Sequence, residues 1–187
     1  MKKVAVLLAD GFEEIEALTC VDVLRRANIQ CDMLGLSSLM VSGSHHITVQ
    51  ADRLLEANMD EYDMLVLPGG MPGAVNLRDN ETLISLIKRF NTNPDKFIAA
   101  ICAAPIVLEK AGIIENRSIT SYPSASYTEL FSKADYQSKI VVVDDHLITS
   151  RGPATSLAFA FKLVELLNGD SSKLKDSMLY QMLIDSF

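Results

Sequence analysis

Short, uninterrupted apolar runs recur along this chain, and each is followed by a turn or by a segment with helical spacing. Val4–Leu8, Met64–Leu67 and Phe97–Ile101 are such runs. Continuous apolar strands are typical of a parallel sheet that is covered on both faces. Ile15–Ala27 and Ala104–Ala111 carry apolar residues at helical spacing. This alternation predicts an α/β protein with a mostly parallel sheet and helices on both of its faces.

The remaining segments predict a single domain, residues 1–187, without a linker or an internal repeat. A small hairpin formed by Val41 and Ile47–Gln50 is expected to lie apart from the main sheet. We expect one terminal helix in "SSKLKDSMLYQMLIDSF" to dock on the body through its apolar positions. The other predicted elements are a strand at Cys31–Leu36, a helix at Asp79–Phe90, a short strand at Ser118–Thr120, a strand pair at Lys139–Val143 and Leu147–Ser150, and a helix between Pro153 and Gly169.

Charge and composition exclude several classes of function. The formal net charge is −7, which argues against nucleic acid or an anionic membrane surface as the main partner, because both require a basic face. No apolar run is long enough to span a membrane, and the opening run reads as a first strand rather than a targeting segment. Three widely spaced cysteines fit neither a disulfide framework nor a zinc site. They favour the reducing cytoplasm.

The stretch "FIAAICAAP" places a cysteine between a predicted strand and a predicted helix. In a nucleophile elbow the reactive side chain lies on a tight strand-to-helix turn with small residues around it. Cys102 has Ala100 two residues before it and Ala104 two residues after it, and Pro105 fits the first turn of the helix. The helix N-terminus would favour a thiolate. The alternative is that Cys102 is only a small buried apolar residue.

A second motif, "LPGGMPG", also follows a predicted strand, so it should lie at the same sheet edge as the elbow. The backbone N–H groups of Gly70 and Ala103 are candidates for binding one oxyanion. Gly69 and Gly70 permit backbone geometry that residues with a Cβ resist.

The candidate proton partner of Cys102 is Glu16, in the motif "DGFEEIEAL". Glu13 and Glu14 are interpreted as complementing the helix dipole. Glu16 falls with the apolar residues of its helix, and a Glu16–Cys102 pair is sensible only if the carboxyl is protonated. None of the three histidines is placed as an obvious base, and adjacent His45 and His46 make a poor metal site. We therefore predict no metal.

Four motifs in order, "VAVLLADGFEEIEAL", "DMLVLPGGMPGAVNL", "IAAICAAP" and "ITSRGPATS", resemble the ThiJ/PfpI superfamily. The match is closest to its DJ-one branch, which includes the parkinsonism-associated protein deglycase. The resemblance implies a flavodoxin-like three-layer sandwich and a homodimer. It implies Cys102 as the reactive centre, Glu16 as its protonated partner, and Gly70 and Ala103 as backbone donors. Members are credited with glyoxalase activity on methylglyoxal, deglycation, and protection against oxidative stress.

Three positions bear on the carry-over from that family. The protease-like branch has histidine where this chain has Ala103, so peptidase activity is not expected. Some members of the closer branch have a histidine before a proline where this chain has Tyr122. A basic residue in the small hairpin, which faces the partner's site in the family, aligns with His45.

The residues and the resemblance lead to two hypotheses. In the first, the chain is an enzyme: the Cys102 thiolate adds to methylglyoxal or a related carbonyl, Gly70 and Ala103 bind the oxyanion, Glu16 moves protons, and no cofactor is needed. In the second, the chain is a redox sensor or stress chaperone, and oxidation of Cys102 to a sulfinate is the functional event.

Overall fold

The computed structural model describes residues 2–186, and a seven-stranded sheet forms its centre. Met1 and Phe187 of the predicted domain lie outside the described residues. The strands are β1 (Lys3–Leu8), β2 (Gln30–Gly35), β3 (Met40–Ser42), β4 (Thr48–Gln50), β5 (Arg53–Leu54), β6 (Met64–Leu67), β7 (Phe97–Ile101), β8 (Ser118–Ile119), β9 (Asp135–Tyr136), β10 (Val141–Asp144) and β11 (Leu147–Ser150). The helices are α1 (Glu14–Arg26), α2 (Gly73–Arg78), α3 (Glu81–Asn91), α4 (Pro105–Ala111), α5 (Ala125–Leu130), α6 (Ser156–Leu166), α7 (Ser171–Ser177) and α8 (Tyr180–Ile184), with a 3₁₀ turn at Pro153–Thr155.

The main sheet has the strand order β10-β11-β7-β6-β1-β2-β5. All of its neighbouring strands run parallel except β10 and β11, which form an antiparallel pair. From β1 the chain passes through α1 to β2 on one side, and it later returns to β6 on the other side. Strand order therefore reverses between β1 and β6. The predicted flavodoxin-like α/β fold is confirmed, and ligands in such folds bind at the carboxyl edge of this reversal point.

Two buried apolar clusters cover the two faces of the sheet. Successive residues of β1 belong to opposite clusters, because side chains alternate along a strand: Val6 joins the cluster beneath α1 and α6, and Leu7 joins the one beneath α2, α3 and α4. Both faces exclude water, which explains why β1 is apolar at every position from Val4 onward.

The small hairpin lies apart from the main sheet, as expected. β3 and β4 form their own antiparallel pair, with Val41 opposite Val49. Backbone bonds tie the hairpin to the loop between β1 and α1: the Gly11 N–H donates to the Ser42 carbonyl at 2.7 Å, and the Ser44 N–H donates to the Phe12 carbonyl at 2.8 Å. The hairpin is thereby fixed against the loop that leads into α1.

The prediction of one docked terminal helix is wrong. The segment forms two short helices, α7 and α8, because Leu179 adopts a left-handed conformation with φ of 59° and breaks the helical phase. Leu174 and Met178 pack against the core. Leu179 and Met182 are 63% and 67% exposed. Only the first half of the predicted apolar face therefore docks on the body.

Two helices and two short strands, α2, α5, β5 and β9, are present that the apolar pattern did not predict. The Pro and Gly residues before α2 indicate a turn, and the six residues of α5 show no apolar periodicity. The helix predicted at Asp79–Phe90 begins at Glu81, because the Asn80 side chain accepts the Leu83 N–H at 2.8 Å and caps it.

Within residues 2–186, the structure contains no helix with the length and apolar character needed to cross a membrane.

Candidate active site

Three segments meet at the carboxyl edge of the sheet, where strand order reverses. They are the first turn of α1 with Glu16, the turn at Gly69 and Gly70 after β6, and Cys102 directly after β7. The structure thus brings together the cysteine, the glutamate and the glycine turn that the sequence singled out.

Cys102 lies on a tight turn between β7 and α4. Its φ is 64°, in the left-handed region, which costs a residue with a Cβ about 1 kcal/mol or more. Two backbone bonds hold it there: its N–H donates to the Ser150 carbonyl at 3.0 Å, and its carbonyl accepts the Tyr122 N–H at 2.9 Å. The side chain remains half-buried. This is the geometry of a nucleophile elbow with a cysteine at its apex.

Gly69 shows why small residues surround the turn. A Cβ at Gly69 would lie 2.8 Å from the Cys102 Cβ, 2.8 Å from Glu16 Oε2 and 2.9 Å from the Ala103 amide nitrogen. Real Cβ atoms do not approach other atoms so closely, so glycine is required for the three segments to meet. Ala103 and Ala104 are buried against the core on the other side of the cysteine.

Glu16 is fully buried. Its Oε2 accepts the Gly69 N–H at 2.7 Å. Its Oε1 has no nitrogen or oxygen partner within the described chain, and the side chain that hydrogen-bonds the carboxyl is that of Cys102. The Glu16 N–H donates to Glu13 Oε2 at 2.7 Å, so Glu13 caps α1 and fixes the turn that carries Glu16.

Burial, aided by the nearby charge of Glu13, raises the pKa of Glu16 to about 7. Burial and the charge of Glu16 likewise raise the pKa of the Cys102 thiol, whereas the N–H groups of Ala103 and Gly70 lower it. The helix N-terminus of α4 is expected to lower the pKa of the Cys102 thiol, and burial opposes that effect. Two negative charges repel each other at this contact, so the carboxyl and the thiol do not both lose their protons near neutral pH.

The two predicted backbone donors converge on the cysteine. The amides of Ala103 and Gly70 both hydrogen-bond toward the Cys102 sulfur. Gly70 has a φ of 88°, and a Cβ there would lie 2.4 Å from the Glu13 amide nitrogen. The glycine conformation therefore lets its N–H reach the site.

His45 lies at the tip of the hairpin and contacts Glu14. Its N–H donates to Glu14 Oε1 at 2.7 Å, and its ring Nδ1 lies 2.9 Å from Glu14 Oε2. Although burial opposes it, bonding from His45 lowers the pKa of Glu14 to about 2. The hydrogen bond to Glu14 raises the pKa of the exposed His45. Within the described chain His45 therefore stabilises the hairpin on α1, and its hydrogen bonds do not reach Cys102.

Three side chains beside the hairpin, those of Glu13, Glu14 and His45, could hold a cation. One ligand atom each from Glu13, Glu14 and His45 lies within 4.8 Å of the others. Glu14 already accepts the His45 amide, and Glu13 already accepts the Glu16 amide. Both carboxylates thus have structural partners that a metal would have to share.

Tyr127 belongs near the site but was not identified from the sequence, since α5 was not predicted. It packs against the same buried cluster as Cys102. Burial and, next, the charge of Cys102 raise the pKa of Tyr127. Tyr122, which was identified, is 48% exposed and bonds the Cys102 carbonyl through its backbone.

The other cysteines are packing residues. Cys20 and Cys31 are buried in the core beneath α1. Burial raises the pKa of Cys31 to about 12 and that of Cys20 well above its usual value. Neither is poised to react.

The chain is similar in sequence to known proteins along most of its length. The sequence model of the DJ-1/PfpI family matches residues 2–166. Protein dj-1beta of Drosophila melanogaster is 40% identical over 170 residues, which cover 90% of each chain. The glutathione-independent glyoxalase DJ-1 of Schizosaccharomyces pombe is 31% identical and covers 98% of each chain.

Solved structures of similar proteins superpose closely on this chain. The crystal structure of Drosophila DJ-1beta superposes with a TM-score of 0.89 at 37% identity, covering 96% of this chain and 98% of that one. An oxidized Toxoplasma gondii DJ-1 gives a TM-score of 0.85 at 34% identity and covers 98% of both chains.

Proposed function

The chain belongs to the DJ-1/PfpI family, and from that premise we propose that it is a cysteine-dependent enzyme that converts small 2-oxoaldehydes such as methylglyoxal into 2-hydroxy acids. The observation that carries the proposal is the Glu16 carboxyl, whose buried Oε1 has no nitrogen or oxygen partner within residues 2–186 and whose hydrogen-bonding neighbour is Cys102. A protonated carboxyl beside a thiolate is an acid placed next to a nucleophile. The glyoxalase named among the relatives supports the same chemistry.

The reaction begins when the thiol proton of Cys102 moves to the Glu16 carboxylate, which makes Cys102 the thiolate and Glu16 the acid. Sulfur attacks the aldehyde carbon, a C–S bond forms, and the carbonyl electron pair moves onto oxygen. The N–H groups of Gly70 and Ala103 stabilise this oxyanion. It then takes the Glu16 proton and becomes a hemithioacetal.

Glu16, now a carboxylate, acts as the base in the second half. It removes the hydrogen of the former aldehyde carbon as a proton, which gives an enediolate with its charge on the oxygen of the neighbouring carbon. The hydroxyl proton of the hemithioacetal moves to that oxygen, and Glu16 returns its proton at the neighbouring carbon. The product is a 2-hydroxy thioester on Cys102. Water cleaves the thioester, releases lactate and restores the starting proton count. Methylglyoxal and water are the only reactants, and deglycation of early glycation products would use the same thiolate.

Lactate formation from methylglyoxal by wild type, Cys102→Ser and Glu16→Gln tests the proposal. We expect turnover to be lost in Cys102→Ser and to fall at least 100-fold in Glu16→Gln, because general acid–base groups typically contribute factors of about 10² to 10⁴. Cys31→Ser is the control, since Cys31 is buried away from the site. Full turnover in Cys102→Ser would refute the mechanism.

A redox role is the second candidate, and it rests on the same pair. A protonated Glu16 can donate to a sulfinate oxygen as well as to a thiolate, and one structural neighbour is an oxidized form. Two equivalents of peroxide would each transfer one oxygen atom to Cys102 and leave as water. Rapid Cys102 oxidation in a protein without carbonyl turnover would favour this role.

We also propose that two copies of the chain associate through the face formed by α1 and the hairpin. Ile15 at the start of α1 and Ile47 beside β4 are 55% and 53% exposed, and the hairpin is bonded to the loop that precedes α1. These two exposed isoleucines on linked elements support the proposal, because exposed apolar surface favours association. Light scattering should give a dimer mass for wild type and a monomer mass for Ile47→Asp.

A further inference from the structure

The loop after β8 returns to Cys102 through its backbone. The Tyr122 N–H donates to the Cys102 carbonyl at 2.9 Å. The Tyr122 Cδ2 lies 3.7 Å from the position that a Cβ on Gly152 would occupy, just beyond the residue whose carbonyl binds the Cys102 N–H. The ring therefore lies beside Gly152, two residues after Ser150, and is half exposed to solvent.

A second ring follows on α5. The Ser124 hydroxyl accepts the Tyr127 N–H at 3.2 Å and starts the helix. The Tyr127 ring stacks on Phe131 with centroids 5.9 Å apart, and Phe131 is fully buried. Tyr127 and Cys102 pack against one cluster. This ring is thus held by the core.

The opposite side of the cysteine has no space. A Cβ at Gly69 would collide with both Cys102 and Glu16, and the groups on that side are amides and a carboxyl. A carbonyl group bound to Cys102 can direct its oxygen at the amides of Ala103 and Gly70. Any larger substituent of the substrate must then point away from Gly69.

We propose that Tyr122 and Tyr127 form an aromatic wall of the Cys102 site and that this wall favours 2-oxoaldehydes with a flat apolar substituent, the arylglyoxals, over methylglyoxal. The proposal rests on the function proposed above and names its substrate class. Aromatic rings gain from offset or edge contacts with one another beyond the burial of area. A methyl substituent is too small to cover both rings, whereas a phenyl ring can contact them.

The test compares kcat/KM for phenylglyoxal and methylglyoxal in wild type, Tyr122→Leu, Tyr127→Leu and Tyr127→Phe. We expect wild type to prefer phenylglyoxal by roughly tenfold, and each leucine variant to lose about threefold to tenfold of that preference. Tyr127→Phe keeps the ring and should keep the preference. Tyr180→Leu, which removes a ring packed on Phe161, is the control.

Protection of Cys102 from iodoacetamide by each aldehyde gives a second readout that needs no turnover. If wild type turns over neither aldehyde, the proposed function fails, and the wall is judged by whether phenylglyoxal protects at lower concentration than methylglyoxal. Equal preference in wild type and both leucine variants, by turnover or by protection, would overturn the aromatic wall while leaving the proposed function intact.

Discussion

Oε2 of Glu16 accepts the Gly69 N–H at 2.7 Å, which links the first helix to the glycine turn after β6. The bond uses one carboxyl oxygen and leaves the other beside Cys102. It therefore orients the acid toward sulfur, and the geometry of the pair depends on a residue that carries no side chain.

Glu16 makes stability depend on pH. Burial raises its pKa from 4.5 to about 7, so the folded state binds the proton more tightly than the unfolded state. Its contribution is complete below about pH 4.5 and is lost as pH rises toward about 7. Urea unfolding between pH 4.5 and 8 should show wild type losing about 3 kcal/mol relative to Glu16→Gln. Parallel curves for the two proteins would contradict the raised pKa.

Gly69→Ala should abolish the site. Its Cβ would lie under 3.0 Å from Cys102, Glu16 and the Ala103 amide, so we expect a cost of about 1–3 kcal/mol and loss of most thiol reactivity. Gly112→Ala is the matched control: Gly112 is left-handed with φ of 73°, but nothing lies within 4 Å of its Cβ position. It should cost about 1 kcal/mol and leave reactivity at the wild-type value. Thermal unfolding and iodoacetamide labelling separate the two effects.

The left-handed turn at Cys102 predicts that a glycine variant is more stable than an alanine variant, which is the reverse of the order in a helix. Cys102→Gly should be more stable than Cys102→Ala by about 1 kcal/mol, since only alanine is strained at a φ of 64°. At Cys20, inside α1, alanine should be the more stable by about 1 kcal/mol. Four denaturation curves decide the matter, and the same order at both positions would show that Cys102 is unstrained.

Mild peroxide should oxidise Cys102 alone. Cys20 and Cys31 are buried, whereas Cys102 is only half-buried and its sulfur accepts the Ala103 and Gly70 N–H groups, so Cys102 alone offers peroxide an accessible sulfur. Peptide mass spectrometry should find two added oxygen atoms on the Cys102 peptide and none on the other two. Glu16→Ala should lower the yield of the sulfinate, because the sulfinate then lacks the carboxyl that donates a hydrogen bond to it. Equal oxidation of all three cysteines would mean that the chain had unfolded.

The fold could be predicted because its buried strands are apolar at every position. Met64–Leu67 and Phe97–Ile101 have the predicted bounds, since a strand covered on both faces leaves an uninterrupted pattern. Leu179 shows the limit of that pattern. The apolar spacing continues through Leu179. Its left-handed φ is a backbone conformation that the sequence pattern does not indicate.

The site residues also form two groups: those that the sequence predicts and those that it does not. Cys102, Glu16 and the glycine turn follow strands or open a helix, so sheet topology alone places them at one edge. Tyr127 lies on a helix of six residues without periodicity, and the bond that returns Tyr122 to Cys102 joins loop backbone atoms. Contacts between loops have no sequence period, and they became visible only in the structure.

The two bonds that hold Cys102 at its turn come from later in the chain, from Ser150 and Tyr122. During synthesis Cys102 is therefore translated before the groups that fix it. A nascent chain that stops short of Ser150 carries an ordinary flexible cysteine. Reactivity is thus acquired only when translation is nearly complete, and an unfinished chain has no elbow to expose to the carbonyls and oxidants around it.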